Sequence, residues 1–134
     1  MKTVLFVDDD EAFRELYRRI FEDEGYHVVL AEDGPQAIGA VTAESPDVAI
    51  LDVRMPQMGG LDVAEEIKAI NPRIPIILYT ANDEICMIDR RAQFATACID
   101  KSSDFTELAL AVNRVLSLGN QSSAFRFGLP SLPD

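Results

Sequence analysis

Histidine and cysteine are scarce in this sequence, with one His and two Cys in 134 residues. Cys86 and Cys98 do not form a CxxC pair, and two thiols with a single imidazole offer too few soft ligands for a zinc site. Reduced, cytosolic thiols are the expectation. Basic residues are also in short supply: 12 Lys and Arg face 23 Asp and Glu, for a formal net charge of -11. A surface of that sign repels the phosphates of nucleic acids and anionic lipids, so neither direct nucleic-acid binding nor membrane binding is expected of this segment. Long apolar runs are missing as well. The opening MKTVLFVDDD has a four-residue apolar run that ends in three aspartates, too short for a signal-peptide core or a membrane span. A cytoplasmic location follows as an expectation, and no internal repeat or low-complexity tract points to a fibrous or solenoid design.

What is present fits one domain of ordinary size, with 48% hydrophobic and 26% charged residues. Five short apolar runs recur: Val4 to Val7, Val28 to Ala31, Val48 to Leu51, Ile74 to Tyr79 and, more weakly, Ala97 to Ile99. They are short, rich in β-branched residues and continuous, the pattern of strands buried on both faces. Helical spacing lies between them. Phe13, Leu16, Tyr17, Ile20 and Phe21 make the clearest stripe, closed by Glu24 and Gly25. Gly34 and Pro35 introduce a second helix with Ala37, Ile38 and Val41, ending before Ser45 and Pro46. Gly59 and Gly60 precede a third with Val63, Ala64, Ile67 and Ile70. A fourth, about Glu84 to Gln93, has the poorest pattern. The fifth is regular through Phe105, Leu108, Ala109, Val112, Val115 and Leu116, with Asp104 and Glu107 spaced as a capping pair. Alternation of strand and helix predicts a parallel sheet covered on both faces, an α/β three-layer sandwich. The domain spans 1–118; residues 119–134, GNQSSAFRFGLPSLPD, read as a tail or truncated linker.

In an open parallel sheet, ligands bind beyond the carboxyl ends of the strands. Strand one ends in Asp8, Asp9 and Asp10, strand three in Asp52, strand four in Thr80, and strand five just before Lys101. Asp10 is best read as a helix cap. Asp8, Asp9 and Asp52 would repel one another unless a cation compensated them, and an all-oxygen ligand set selects Mg²⁺ or a similar hard ion. Such an ion retains open positions for phosphate oxygens. His27 and the methionines Met55, Met58 and Met87 are expected at the surface or in packing.

Taken together, VLFVDDD, the stretch VAILDVRMPQMGGLD with its D-x-x-M-P-x-M-x-G spacing, Thr80-Ala81 after IPIILY, and Lys101 after CID resemble the receiver domains of two-component response regulators, of the chemotaxis-regulator type. The resemblance runs from about residue 2 to residue 118. It implies a flavodoxin-like fold, five parallel strands in the order 2-1-3-4-5 with five helices. It further implies that Asp52 accepts a phosphoryl group from a sensor histidine kinase or a histidine phosphotransfer protein. Asp8, Asp9, Asp52 and the main-chain carbonyl of Arg54 would hold Mg²⁺, Lys101 would pair with phosphoryl oxygens, and Thr80 with the Ala81 amide would act as the switch. Arg54 and Asn82 occupy positions that tune acyl-phosphate lifetime in the family. The implied chain is a phosphoprotein that catalyses only its own aspartyl phosphorylation and dephosphorylation. Its partners downstream would be a protein target or an output domain, and a homodimer is compatible with the pattern.

Two departures stand out. Ser102 follows the lysine where the family carries a cis-proline, and a non-proline cis bond costs about 2.5–4 kcal/mol, so a trans bond is expected. Cys98 replaces the aromatic residue three positions before the lysine. These departures keep a phosphorylation-independent, receiver-like binding module in view. The haloacid-dehalogenase phosphatases also combine an aspartyl phosphate with Thr or Ser, Lys and Mg²⁺, but they place two acids in one D-x-D loop on strand one, unlike this arrangement.

Overall fold

The computed structural model describes residues 1–81, 84–101 and 105–118. Five strands, β1 (Thr3–Val7), β2 (His27–Ala31), β3 (Val48–Asp52), β4 (Ile76–Thr80) and β5 (Ala97–Asp100), form one parallel sheet in the order β2-β1-β3-β4-β5. Helices α1 (Glu11–Asp23), α2 (Gly34–Glu44), α3 (Gly60–Ile70), α4 (Ile85–Ile88) and α5 (Phe105–Leu118) connect and cover them.

The continuous apolar runs have the reason expected of them: every residue of β3 and β4 is buried. Alternate residues point to opposite faces. Leu5, Val7, Ala49, Leu51, Ile76, Leu78 and Cys98 pack on α2 and α3, while Val4, Phe6, Val48, Ile50, Ile77, Tyr79 and Ile99 pack on α1 and α5. Strand four begins at Ile76 rather than Ile74. Ile74 and Pro75 lie before it, and the Ile74 carbonyl accepts a hydrogen bond from Lys68 Nζ at 2.6 Å instead of a ladder partner.

Caps set the helix ends. Asp10 is the N-cap of α1, its Oδ1 accepting from the Ala12 amide at 2.8 Å and the Phe13 amide at 3.4 Å. Gly25, at φ 95, supplies the left-handed exit. Asp33 caps α2 through the Gln36 amide, with Pro35 in its first turn. Gly60 is the first residue of α3 rather than a residue before it.

The fourth helix departs from the expected span of Glu84 to Gln93. It has four residues and stops at Asp89, which is extended (φ -97, ψ 124), after which Arg90–Phe94 form a 3₁₀ turn. The Asp89 side chain accepts from the Arg91 amide at 2.9 Å, restarting the chain in a new direction. Hydrogen bonds from Arg91 hold the Asp89 carboxyl down at about 2, and Arg91 also pairs with Asp62 on α3. Asp104 of the expected capping pair, Asn82, Ser102 and the 119–134 tail lie outside the described residues, while Glu107 stands in the first turn of α5. Among the described residues, no helix is long and apolar enough to cross a membrane.

Candidate functional site

Parallel strands bring their carboxyl ends to one edge of the sheet, and the chain places an acid or its counterion at three of these ends, two on the adjacent β1 and β3 and one on β5 beyond β4. Asp8 follows β1, Asp52 closes β3 and Lys101 follows β5. Asp8 is fully buried and its amide continues the ladder, donating to Ala31 O at 3.1 Å. Its carboxylate is held on one side, Oδ1 accepting from the Asp10 amide at 2.9 Å, and its main-chain carbonyl accepts from Arg14 Nη1 at 2.8 Å. Asp52, 5% exposed, accepts from the Arg54 amide through Oδ1 at 3.3 Å. Arg54 itself is exposed, as is Asp9.

Lys101 spans the two buried acids, with Nζ 3.0 Å from Asp8 Oδ2 and 3.1 Å from Asp52 Oδ2. Its amide is anchored independently, donating to the Thr80 carbonyl at 2.7 Å. The ammonium also lies 4.8 Å from the centre of the Phe13 ring and 5.6 Å from that of Tyr79. Two ring faces and two carboxylates thus fix one cation in space. Burial alone would lower the Lys101 pKa, but contact with Asp8 and the charge of Asp52 outweigh it and raise it. Burial acts first on Asp52 too, and with the Asp8 charge it pushes that carboxyl up to about 6 against the opposing pull of Lys101.

One cation between two buried acids leaves a net negative charge, and Asp9 adds to it. Carboxylate oxygens of Asp8, Asp9 and Asp52 lie within 4.8 Å of one another. Asp8 Oδ2 is, among the described residues, the buried side-chain oxygen that accepts no hydrogen bond of regular geometry; its partner is the Lys101 charge alone. A site of hard oxygens with an unsatisfied acceptor fits a divalent cation of the Mg²⁺ kind.

Thr80 is buried at the last position of β4. Because Asp52 pairs with Tyr79 across the sheet, Thr80 lies one residue further toward the same edge, with exposed Ala81 following it. Of the residues that the sequence pointed to, the structure brings Asp8, Asp9, Asp52 and Lys101 together and sets Thr80 and Ala81 at the same edge of the sheet. The role of Asn82 falls on a residue outside those described.

Other contributors went unseen in sequence. Phe13 and Tyr79 read as stripe and strand residues, although both face Lys101, and Arg14 carried no motif. Tyr17 and Tyr79 share a buried hydrogen bond between their hydroxyls, 2.6 Å long, beneath the lysine. Burial, then the Tyr17 contact, raises the Tyr79 phenol far out of the physiological range, so that proton stays. Tyr79→Phe strands the Tyr17 hydroxyl and is expected to lower stability by about 1–2 kcal/mol, checked by urea denaturation, whereas the double change with Tyr17→Phe recovers part of that loss.

The loop after β3 is equally constrained. A Cβ on Gly60 would lie 2.2 Å from the Asp52 carbonyl oxygen, and Gly60 N donates to Val53 O at 3.0 Å. That is the physical reason for glycine at the end of the D-x-x-M-P-x-M-x-G spacing. Gly60→Ala forces the backbone of Asp52 aside; the expected outcome is a loss of about 2 kcal/mol in urea denaturation.

Cys98 and Cys86 overturn one expectation. They are bonded to each other as a disulfide, with Cα atoms 6.6 Å apart, and are not the free thiols anticipated. The pairing joins β5 to α4, and no local spacing rule announces a bridge between elements 12 residues apart.

Comparison with known proteins gives a consistent picture. Residues 4–113 match the family described as response regulator receiver domain. Response regulator MprA of Mycolicibacterium vanbaalenii is 40% identical over 82 residues, covering 61% of this chain and 36% of the relative, so the chain spans about a third of that protein's length. Sporulation initiation phosphotransferase F of Bacillus subtilis is 35% identical over 116 residues, 86% of this chain and 94% of the relative. Among solved structures, response regulator protein TrrA of Thermotoga maritima in complex with Mg²⁺-BeF superposes with a TM-score of 0.81 at 36% identity, covering 85% of this chain and 98% of that one. TrrA in complex with histidine kinase ThkA gives 0.77 at the same identity, covering 85% and 97%. With its strand order, its acids at the carboxyl edge and a family match across most of its length, this chain belongs to the response regulator receiver domains.

Proposed function

We propose that the chain is a phosphorylation-operated signalling switch whose acceptor is Asp52. The observation that carries this reading is the single cation Lys101 held between Asp8 and Asp52 at the open edge of the sheet. Asp52 Oδ2 attacks the phosphorus of the donor, the bond to the leaving nitrogen or oxygen breaks, and an acyl phosphate remains. Lys101, already anchored through its main chain, exchanges its contact with Asp52 for the equatorial phosphoryl oxygens. Asp8, Asp9, Asp52 and the Arg54 carbonyl would hold Mg²⁺, which would neutralise charge on the transferring group. Burial of Asp8 and Asp52 keeps that charge from being screened by water.

Product formation places about two negative charges where one stood. The Thr80 hydroxyl and the Ala81 amide, next to Asp52 along the edge, are the donors to a new phosphoryl oxygen; drawing Thr80 inward biases the segments after β3 and β4. Arg54 and Asn82 hold the two sequence positions assigned to setting acyl-phosphate lifetime. The donor is a histidine kinase or histidine phosphotransfer protein, as the pairing of TrrA with ThkA illustrates for that relative. Readers of the switch are a protein target or an output domain, and the chemistry catalysed is confined to the chain's own aspartate. A cytoplasmic setting suits such a donor, and the 119–134 segment serves as tail or linker.

Intact-mass spectrometry after mixing with Mg²⁺ and a small acyl-phosphate donor tests this. The expected result is one phosphoryl adduct per chain, lost on chelation and in Asp52→Asn. Failure to load from both a small donor and a phosphorylated kinase would leave a receiver-shaped binding module in its place.

A further inference from the structure

Helix α4 is the least secured element of the described domain. It has four residues without a side-chain cap; Met87 is 59% and Ile88 78% exposed, and Cys86 alone of the four is buried. Cys86 is also the residue that bonds across to Cys98 on β5. We propose that Cys86 and Cys98 form a reversible redox modification site, whose closed state fastens α4 to the sheet and whose open state frees α4 to move.

Several features point the same way. The Cα separation of 6.6 Å lies within the range that a disulfide bridges, so both redox forms can share one backbone path. Both sulfurs are shielded, Cys86 being 7% and Cys98 2% exposed. Attack by an oxidant or a reducing dithiol therefore requires α4 to lift, which couples the chemistry to the motion. Beyond α4 the chain is held separately: Asp89 restarts it, Arg91 pairs with Asp62, and Ala92 is buried, so α4 can open without unseating the 3₁₀ turn. Cys98 pairs with Leu78 in the register that also pairs Thr80 with Asp100, three positions before Lys101. The bridge thus ties α4 to the strand that delivers the site lysine.

The chemistry balances with a peroxide as oxidant. One thiolate attacks the O–O bond and hydroxide leaves, giving a sulfenic acid; the second thiol attacks that sulfur and a further water departs. Two thiols and one hydrogen peroxide become one disulfide and two waters. A dithiol reverses the bond by exchange and leaves as its own disulfide. In reducing compartments disulfides of this kind are mostly transient or sensing, which agrees with a bond that cycles. The effect on signalling rests on the phosphoacceptor reading above; the pairing itself does not.

The test uses the full chain after hydrogen peroxide or dithiothreitol, followed by denaturing alkylation with iodoacetamide and intact-mass measurement. Oxidised protein is expected to be monomeric, lighter by two hydrogens and unmodified by the reagent; reduced protein takes two groups. On reduction, Tm is expected to fall by about 5–10 °C, and amide exchange across residues 85–89 to speed up roughly tenfold, while residues 91–94 of the 3₁₀ turn keep their rate. Renewed peroxide reverses both. Cys86→Ser, with Cys86→Ala as a second variant, should show the fast-exchanging state under either treatment. Two alkylatable thiols after peroxide, disulfide-linked dimers, or a redox-dependent exchange difference that persists in the variants would each overturn the proposal. Loading both redox forms with a phosphodonor separates the two readings. No adduct in either form, with the thiol results intact, defeats the phosphoacceptor reading alone; normal adducts with unpaired thiols defeat the redox site alone.

Discussion

Asp52→Asn is expected to stabilise the domain by roughly 3 kcal/mol above pH 7 in the presence of a chelator, an unusual sign for a buried substitution. The carboxyl titrates at about 6 in the folded chain against an ordinary 3.8, because burial and the Asp8 charge favour its neutral form more than Lys101 favours the charged one. Between those two values the folded chain retains a proton that the unfolded chain has released. Stability therefore falls as pH rises through that window and stays reduced above it. Asparagine carries no charge to bury, so its advantage is greatest above pH 7 and fades as pH drops toward 4. Urea denaturation of both proteins across pH 4 to 8 measures this directly. A difference independent of pH, or a destabilised asparagine variant at pH 8, would contradict the account. Mg²⁺ should narrow the gap, since it binds the folded form of the wild type and stabilises it by mass action.

Lys101→Ala should act in the opposite direction and by a similar or larger amount. Removal of the ammonium leaves Asp8 and Asp52 buried side by side with their charge uncompensated, since Lys101 is the cation within 4 Å of both. Breaking such a buried arrangement from one side costs about 3–5 kcal/mol near neutral pH. The loss should shrink as pH falls and Asp52 takes up its proton, which without Lys101 to oppose burial and the Asp8 charge happens at a higher pH than in the intact site. Millimolar Mg²⁺ is expected to restore part of the stability without restoring normal phosphoryl loading, because charge balance and phosphoryl contact are separate tasks. Denaturation midpoints with chelator and with Mg²⁺ check the first; adduct yield checks the second. Equal destabilisation at pH 5 and pH 8 would show that Lys101 acts through packing on Phe13 and Tyr79 rather than through charge.

Much of this was legible in the sequence because it depends on local rules. Buried parallel strands need continuous apolar runs, and β3 and β4 have them. Polar residues at strand ends need a purpose, and Asp8, Asp52, Thr80 and Lys101 met at one edge as their positions implied. The sequence pointed Lys101 at phosphoryl oxygens; that it bridges Asp8 and Asp52 came from the structure alone. What escaped the sequence depends on side chains from distant segments. Tyr17 and Tyr79, 62 positions apart, share one hydrogen bond that neither helix nor strand pattern announces. Cys86 and Cys98 look like two unrelated thiols until α4 is laid beside β5. The break of the fourth helix at Asp89 was foreshadowed only by a weak apolar rhythm, and its cause, a carboxylate capping the Arg91 amide, competes with helix continuation in a way that spacing does not reveal.

The distance along the chain between Asp8 and Lys101, 93 positions from 101 minus 8, has a consequence for biogenesis. Acids from the first and third strands are synthesised well before the lysine that neutralises them, and the strand carrying it is the outermost and last of the sheet. Any partial fold that lacks β5 therefore brings Asp8 and Asp52 together without the cation that lies between them in the finished domain.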